Sequence, residues 1–571
     1  MTQPFYKVRE VTDIRDLVRQ SAELYADLPA FEVKADRGEI KIKTFAKYMR
    51  DINRLGTALV SMGYKDQKIA VAGKNCYEWF TTYMAVVCGV GVIVPIDKEL
   101  LITEIKNILS TAEVKLLVCD RAFYKKIAAA RSELDPELKI VIFDQKEDTE
   151  ETLSYSKLKT KGKKLLECGN TEYLDAVINP EDVCSLLFTS GTTGASKAVM
   201  LCHRNICSDV MLAMQVIKVY ANDKGLTILP AHHTYEALVS LFVYCYMGVC
   251  LAFCDGLRYI AKNFKEYSPT VFCCVPLLLE NVHSKIMKSI KEKKNGERMF
   301  RFAKAAVKAG DKVKINLRKM FFSEIQAVFG GRLRLVIVGA APVPADILED
   351  FTLFGVQVVC GYGLTECSPL VICNNDKVIT CDSIGVPLPE VEVKIINKEP
   401  ETGIGELCIR GPMVMKGYYK NPEETARVID EDNFFHTGDL GYCDRRGLYY
   451  ITGRCKNVIV TKNGKNIYPE EVESYLSNSP YIAECLVREG IKDGEAVVQA
   501  DVFPDFDAIS AYLCKENPSA GEIESLIESA VGEANEHLAS YKRIKKIKIR
   551  NTEFEKTSTK KIRRFSEANL K

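Results

Sequence analysis

Short apolar runs alternate with amphipathic stretches through roughly the first 450 residues of the chain. Residues 68–73, 91–96 and 114–120 have the length and apolar character of buried strands. Between them, residues 77–88 and 101–112 carry apolar side chains at helical spacing. Strands that alternate regularly with helices are typical of parallel sheets covered by helices on both faces. The pattern therefore predicts an α/β fold, with doubly wound parallel sheets in a large N-terminal domain.

Two long apolar runs raise the question of membrane-spanning segments. Residues 237–254 contain no charged side chain over a length that can span a bilayer. Gly248 divides this run, and its second half favours a strand. Residues 80–97 repeat the same order of helix, glycine and strand. Because the design occurs twice, we expect buried helix–turn–strand units rather than membrane spans.

The alternation of strand and helix patterns gives way to two other patterns in the last third of the chain. Turn signals become frequent from about residue 380, which indicates short antiparallel strands. We therefore expect a small β-barrel over about 375–453. Residues 454–571 resemble a compact α+β unit with a basic tail. We therefore expect an N-terminal domain over 1–453 and a small C-terminal domain over 454–571.

Composition narrows the function classes. The net charge of +2 gives no global field that would favour a nucleic acid, so we expect no nucleic-acid partner. There are 21 cysteines but no C-x-x-C pair, and the six histidines do not alternate with cysteines at ligand spacing. A zinc site is therefore not expected. Buried free thiols suit a reducing compartment, which predicts a cytoplasmic protein.

Residues 281–320 are unusually basic, with 13 Lys/Arg against three Asp/Glu. Apolar residues recur within this segment at roughly helical spacing: Ile286, Met299, Phe302, Ala306 and Val307. One interpretation is a solvated helical insertion on the surface. The alternative is an amphipathic surface that meets anionic lipid, which would make the protein peripheral at the inner membrane surface.

The loop in "LLFTSGTTGASKAVML" (186–201) combines glycines, hydroxyls and one lysine between two apolar strands. It is not a P-loop of the nucleotide-hydrolase type, because Ser196 and Ala198 stand where that motif needs Gly and Ser or Thr. Its ingredients still suit an anion, since glycines turn backbone N–H groups toward one point and Lys197 adds a cation. The anion-binding candidates are Thr189, Ser190, Gly191, Thr192, Thr193, Gly194 and Lys197.

This loop resembles the signature loop of the adenylate-forming superfamily, which includes acyl-CoA synthetases, nonribosomal adenylation domains and luciferases. The chain departs from the usual pattern by Ser196 for proline and Ala198 for glycine. Six further segments resemble the superfamily's other motifs in chain order: "LPAHHTYE" (229–236), "VIVGAAPVP" (336–344), "GYGLTECSP" (361–369), "TGDLGYCDRRGLYYITGR" (437–454), "KNGKNIYPEEVE" (462–473) and "KTSTKKIRR" (556–564). The resemblance implies adenylation of a carboxylate by ATP, followed by transfer of the acyl group to a thiol, normally that of coenzyme A.

The resemblance also implies roles for single residues. The 189–197 loop would cradle the β- and γ-phosphates of ATP, Glu366 would hold Mg²⁺, and Thr365 would contact the α-phosphate. Small and aromatic residues would line the site where the nucleotide base or the acyl chain passes: Gly339, Ala340, Ala341, Tyr362 and Gly363. Asp439 would bind the ribose hydroxyls, and Arg454 would contact ribose or phosphate. His233 would lie at the entrance for the acyl group.

Three lysines near the C-terminus complete the implied site. Lys456 occupies the family's hinge position, about which the C-terminal domain would swing between the two half-reactions. Lys465, in "KNGKN", would line the tunnel for the thiol. Lys561 aligns with the catalytic lysine, although Lys560 stands where glycine is usual and makes the assignment ambiguous.

Three segments resemble those of the long-chain fatty acyl-CoA synthetase branch: the basic insertion, "FGGRLRLVIVGAAPV" and "GRCKNVIVTKNGKNIYPEEVE". The implied substrate is a medium- or long-chain fatty acid. Alternatives that stay open are an acyl-carrier-protein thiol, an aromatic or bile-acid-like acid, and a membrane-surface binding protein that has lost catalysis. The sequence decides neither the chain length of the acid nor the oligomeric state.

Overall fold

The computed structural model describes residues 2–35, 38–189, 197–339, 343–380, 383–460, 466–492, 495–556 and 561–570. The chain divides into two compact units. The large unit contains Met1–Glu392 and Ile409–Phe435, and the small unit contains Val393–Cys408 and His436–Lys571. The small unit thus takes in strands that precede residue 454, and the functional domain boundary at 454 stays a prediction.

The large unit contains two sheets built mainly from parallel strands. The nine-stranded sheet comprises, in spatial order, Val386–Pro387, Leu370–Cys373, Gln357–Gly363, Leu335–Val338, Val271–Cys274, Lys224–Thr227, Cys250–Phe253, Pro29–Lys34 and Ile40–Thr44. The eight-stranded sheet comprises Gly417–Tyr418, Lys197–Cys202, Val183–Thr189, Gly91–Ile96, Gln67–Ala72, Leu116–Cys119, Lys139–Ile142 and Thr152–Ser154. Both sheets have parallel centres; the nine-stranded sheet is antiparallel at both edges, and the eight-stranded sheet only at the edge formed by Gly417–Tyr418 and Lys197–Cys202. This arrangement confirms the predicted α/β class.

Helices connect these strands, and several begin where the sequence supplies a cap. The side chains of Asp13, Thr44, Asp120 and Ser154 each accept a hydrogen bond from a backbone N–H of the following first turn. The α-helices of the large unit are Ile14–Leu24, Phe45–Ser61, Tyr77–Val87, Ile102–Thr111, Arg121–Ala128, Tyr155–Glu167, His203–Met214, Thr234–Glu236, Tyr244–Met247, Ile260–Tyr267, Pro276–Glu292, Gly296–Lys312, Arg318–Val328, Ala345–Leu353 and Pro422–Val428.

Both long apolar runs form the predicted helix–turn–strand units. Tyr77–Val87 leads into the strand Gly91–Ile96. In the second run a π-helix, Ala237–Val243, continues as Tyr244–Met247 and ends at Gly248, before the strand Cys250–Phe253. Gly248 has φ of 76°, a left-handed conformation that glycine adopts readily at a helix C-terminus. Within the described ranges, no helix has both the length and the apolar character needed to cross a membrane.

Where a small barrel is predicted, the structure has a four-stranded sheet, most of whose residues belong to the small unit: Glu392–Ile396, Gly405–Arg410, Phe435–Cys443 and Tyr449–Arg454. The short strands Ile459–Val460 and Asn466–Ile467 follow. A three-stranded sheet of Ile482–Lys492, Glu495–Pro504 and Ile544–Ile549 then packs with the helices Pro469–Leu476 and Ala520–Glu536 around buried Val472, Val487, Ala500 and Ile527. The helices Phe506–Leu513 and Glu567–Leu570 complete this α+β arrangement.

Candidate active site

The two ends of the glycine-rich loop are held together by strand pairing. Thr189 ends one strand and Lys197 begins the next, and the two residues are partners in the antiparallel register. The Thr189 hydroxyl donates to the carbonyl oxygen of Lys197 over 3.4 Å. The predicted phosphate ligands between them, Ser190, Gly191, Thr192, Thr193 and Gly194, lie outside the described residues.

Lys197 forms an ion pair that its local sequence does not reveal. Its ammonium contacts the carboxylate of Glu424, in the first turn of Pro422–Val428, and this contact lowers the pKa of Glu424. The same ammonium lies 5.1 Å from the centroid of the Tyr418 ring, within cation–π range. The Lys197 ammonium, the cation of the predicted phosphate loop, is therefore held in place by both Glu424 and Tyr418.

Glu366 is linked to this cation through Tyr418. The Tyr418 hydroxyl donates to Oε1 of Glu366 over 2.9 Å. Burial, and secondly the charge of Glu366, raises the pKa of Tyr418 well above its ordinary value, so the phenol keeps its proton and remains a donor. Lys197, Glu366, Tyr418 and Glu424 form what we call the carboxylate–lysine cluster.

Thr365 and Glu366 share a short 3₁₀ turn, Thr365–Cys367, at the end of a chain reversal. The backbone N–H of Met415 donates to the carbonyl oxygen of Glu366 over 2.8 Å, which fixes the turn. The hydroxyl oxygens of Thr365 and Thr234 lie 3.5 Å apart. This contact joins the turn to the segment that carries His233.

Tyr362 and Gly363 lie on the strand Gln357–Gly363 of the nine-stranded sheet, and Gly339 directly follows its strand Leu335–Val338. A Cβ atom at Gly363 would lie 1.7 Å from the carbonyl oxygen of Pro369, so close backbone approach alone requires glycine there. A Cβ atom at Gly339 would lie 3.2 Å from the Tyr235 ring. Tyr362 precedes Gly363 and is partly buried. Ala340 and Ala341 lie outside the described residues.

His233 immediately precedes the short helix Thr234–Glu236, and its ring lies beside that of His232 at a tilt. The imidazole centroids of His232 and His233 lie 4.2 Å apart. Asp97, at the end of the strand Gly91–Ile96, approaches His232 from the other sheet of the large unit. Sequence analysis singled out His233 but neither Asp97 nor His232.

The small unit brings three predicted residues together. Asp439 and Arg454 are partners on adjacent antiparallel strands, and Nε of Arg454 lies 2.7 Å from Oδ1 of the buried Asp439. Lys561 adjoins both of them. Desolvation of its ammonium, and secondly the Arg454 guanidinium, lowers the pKa of Lys561, whereas Asp439 acts in the opposite direction. The residue as a whole is exposed, so the desolvation concerns the ammonium end rather than the stem.

Lys456 lies in the exposed 3₁₀ turn Cys455–Asn457, directly after the strand Tyr449–Arg454. Its neighbour Asn457 donates a side-chain hydrogen bond to Glu470. A turn at this point suits a hinge, and the hinge role itself stays a prediction. Lys465 and Lys560 lie outside the described residues.

Sequence reasoning missed a second group in the small unit. The Arg564 guanidinium contacts the carboxylate of Glu473, lies 3.5 Å from Glu470, and donates to the carbonyl oxygen of Val487 over 3.1 Å. Arg564 lies three residues after Lys561 in the same non-helical segment. Its contacts therefore hold the segment that carries the lysine. No local spacing signals the contact, because its partners come from another helix and strand.

Comparison with known proteins places these observations in a family. The sequence profile described as "AMP-binding enzyme" matches residues 18–419. Long-chain-fatty-acid--CoA ligase 5 of Rattus norvegicus is 30% identical over 493 residues, which cover 81% of this chain and 71% of the rat protein. Fatty acyl-CoA synthetase A of Dictyostelium discoideum is 29% identical over 567 residues, covering 92% and 83%. The crystal structure of the anthranilate CoA ligase AuaEII with anthranoyl-AMP has the same fold, with a TM-score of 0.77, 22% identity, and coverage of 100% and 98%.

Proposed function

Because the chain belongs to the AMP-binding enzyme family, we propose that it is an ATP-dependent fatty acid–CoA ligase. A carboxylate oxygen of the acid attacks the α-phosphorus of ATP, and the bond to pyrophosphate breaks. The thiol of coenzyme A then attacks the carbonyl carbon of the acyl-adenylate, loses its proton, and AMP leaves with the electron pair of the broken bond. The substrate class follows the rat and Dictyostelium relatives, which are named for fatty acids.

The observation that carries the proposal is the group formed by Lys561, Asp439 and Arg454. Lys561 is distant in sequence from the hairpin that carries Asp439 and Arg454, yet it adjoins both residues in the small unit. Adenylation builds negative charge around the α-phosphorus, and preorganised cations stabilise such charge. Lys561 is the cation that we assign to this step, and Asp439 is the acceptor for the ribose hydroxyls.

The carboxylate–lysine cluster suits the phosphate end of ATP. Lys197 would neutralise the departing pyrophosphate, and Glu366 would be the protein ligand of Mg²⁺, because this ion accepts one carboxylate together with phosphate oxygens and water. The Glu366 carboxylate fits this task, since Tyr418 fixes its orientation through one oxygen. When bound, Mg²⁺ supplies charge neutralisation that makes the phosphates a better leaving group.

The first test is release of pyrophosphate and AMP from ATP across a panel of carboxylic acids, with and without coenzyme A. We expect pyrophosphate that depends on a medium- or long-chain fatty acid, and AMP release that depends on coenzyme A. Reactions without acid are the control. Pyrophosphate without thioester would favour a carrier-protein thiol, preference for aromatic or bile-acid-like acids would change the substrate class, and no acid-dependent turnover would contradict the proposal.

We also infer that the basic segment 281–320 contacts anionic lipid from a cytoplasmic position. Its helices, Pro276–Glu292 and Gly296–Lys312, bury Ile286 and Val307 but leave Met299 and Phe302 each 67% exposed. Val313 and Met320 are each 65% exposed in the same segment. Exposed apolar side chains among cations suit an anionic membrane surface. Every cysteine that the structure describes is a free thiol, which suits a reducing compartment.

The protein is expected to sediment with anionic liposomes at low ionic strength and to be released by salt. Changing both Met299 and Phe302 to Asp should lower the bound fraction about three- to tenfold, because two insertion points become charged. Val177, which is 95% exposed in another part of the large unit, provides a matched control as Val177→Asp. Equal loss in the control, or no binding by the unaltered protein, would contradict the inference.

A further inference from the structure

Asp97, His232 and His233 form a cluster that the proposed reaction does not use as a unit. Asp97 follows the strand Gly91–Ile96 of the eight-stranded sheet, whereas the two histidines follow the strand Lys224–Thr227 of the nine-stranded sheet. One ligand atom of each side chain lies within 4.8 Å of the others. The three side chains are far apart in sequence, so no motif spacing reveals them.

The distances suit a small tetrahedral ion. Nε2 of His232 lies 3.4 Å from Oδ2 of Asp97. With zinc–ligand bonds of about 2.1 Å, two corners of a tetrahedron stand about 3.4 Å apart. Asp97 and His232 thus already hold the separation that a shared zinc ion requires.

The surroundings of His232 also point to a ligand. Its side chain is 11% exposed, and that of Asp97 is 14% exposed. Nε2 of His232 is buried and makes no hydrogen bond of acceptable geometry with any described residue. Buried polar atoms are rarely left in that condition unless an ion or water completes them.

We propose that Asp97, His232 and His233 bind Zn²⁺ at the entrance predicted for the acyl group. Two imidazoles and one carboxylate are ligands that zinc accepts, and Mg²⁺ by contrast prefers oxygen ligands alone. Three protein ligands leave the fourth position to water. The sequence predicted no zinc site, on the spacing of its cysteines and histidines. The proposed site departs from that prediction, because its ligands are two histidines and one aspartate from distant parts of the chain.

Occupancy of the site is expected to inhibit adenylation, a consequence that rests on the proposed function. Coordination would fix the His233 ring, and Thr234, the next residue, contacts Thr365 of the predicted nucleotide site. Zinc bound here would therefore stand beside the path of the acid. Inhibition should be reversible, because a chelator can remove an ion that has only three protein ligands.

The binding test uses the full-length protein, stripped of metal, without ATP, acid or coenzyme A. Calorimetric titration with Zn²⁺ should show a saturable site, and Co²⁺ should give visible bands of four-coordinate nitrogen and oxygen ligation without a thiolate charge-transfer band. His232→Ala and Asp97→Asn should each weaken binding at least about tenfold. Asp97→Asn preserves the shape of the side chain, so it remains informative if His232→Ala fails to fold.

The control variant changes the second group of possible metal ligands among the described residues, which consists of Glu406, Cys408 and His436 in the small unit. His436→Ala should leave the titration unchanged. Unaltered zinc affinity in His232→Ala and Asp97→Asn, a thiolate band with cobalt, or no saturable binding would overturn the site.

A second measurement separates this proposal from the proposed function. Zinc should lower acid-dependent pyrophosphate release by the unaltered protein, and a chelator should restore it, while Asp97→Asn should need at least about tenfold more zinc for the same inhibition. Binding without inhibition would overturn the regulatory consequence. Absence of turnover in zinc-free protein would contradict the ligase activity and leave the binding result standing.

Discussion

Lys561→Ala is expected to lower acid-dependent pyrophosphate release about 10²–10³-fold, which is the usual effect of losing one preorganised group that stabilises charge in a transition state. Thioester formation from supplied acyl-adenylate should fall far less, because that step does not build charge on the α-phosphorus. The matched control is Lys560→Ala, which removes a cation from the adjacent position. Pyrophosphate release and thioester formation are measured separately for each variant.

The environment of Lys561 gives this prediction its physical basis. Desolvation and the Arg454 guanidinium both disfavour the ammonium form, and Asp439 favours it. An anionic phosphate beside these groups would offset the repulsion between the two cations. The positive charge of Lys561 and Arg454 is therefore better compensated when nucleotide is bound than when the site is empty. Removal of Lys561 takes away one of the two cations at the point where negative charge increases.

Two results would contradict the assignment. Comparable activity of Lys561→Ala and Lys560→Ala would remove the distinction between the two lysines. Equal loss of both half-reactions in Lys561→Ala, together with a lower melting temperature, would indicate damage to the small unit rather than loss of a charge.

The sequence predicts the layers of the large unit well, because buried parallel strands must be continuously apolar while the helices between them are amphipathic. The strands Gln67–Ala72 and Gly91–Ile96 are examples. It also locates Asp439 and Arg454, since the turn residues between them show that their two strands pair. What it predicts poorly is contact between elements that are distant along the chain.

Tyr418 and Glu424 illustrate this limit. Neither belongs to a motif, and they reach Glu366 and Lys197 only because the strand Gly417–Tyr418 pairs with Lys197–Cys202 at a sheet edge. A strand of two residues carries too little hydrophobic pattern to specify its partner or its register. Gly363 shows a different limit. The motif suggests that glycine is needed there for the nucleotide, but the close approach of the Pro369 backbone already requires glycine at this position.

Arg564→Ala is expected to lower adenylation about 10²-fold without touching a substrate. Its guanidinium holds the segment that carries Lys561 through Glu473, Glu470 and the Val487 carbonyl. Loss of Arg564 removes all of these contacts at once, and with them the ties that they form between the segment and the helix Pro469–Leu476 and the strand Ile482–Lys492. A catalytic group displaced by only about 1 Å can lose about 10²-fold in rate. Pyrophosphate release and hydrogen exchange of residues 561–570 measure the two effects.

Arg563→Ala is the matched control, because Arg563 is adjacent in sequence and pairs at 3.5 Å with Glu555, where both side chains are well exposed. An exposed ion pair contributes only about 0–1 kcal/mol, so adenylation should stay within about threefold of the unaltered protein. Equal losses in Arg563→Ala and Arg564→Ala would contradict the anchoring role.

A pH profile separates anchoring from general structural damage. Burial raises the pKa of Glu473 to about 7 despite the adjacent Arg564. As the pH falls through this value, the carboxylate takes up a proton and attracts the guanidinium less, so adenylation should decline together with protection of residues 561–570. Glu473→Gln resembles the protonated form, and it should give reduced activity that no longer changes over this range. A profile unchanged by Glu473→Gln would show that the pair does not position Lys561.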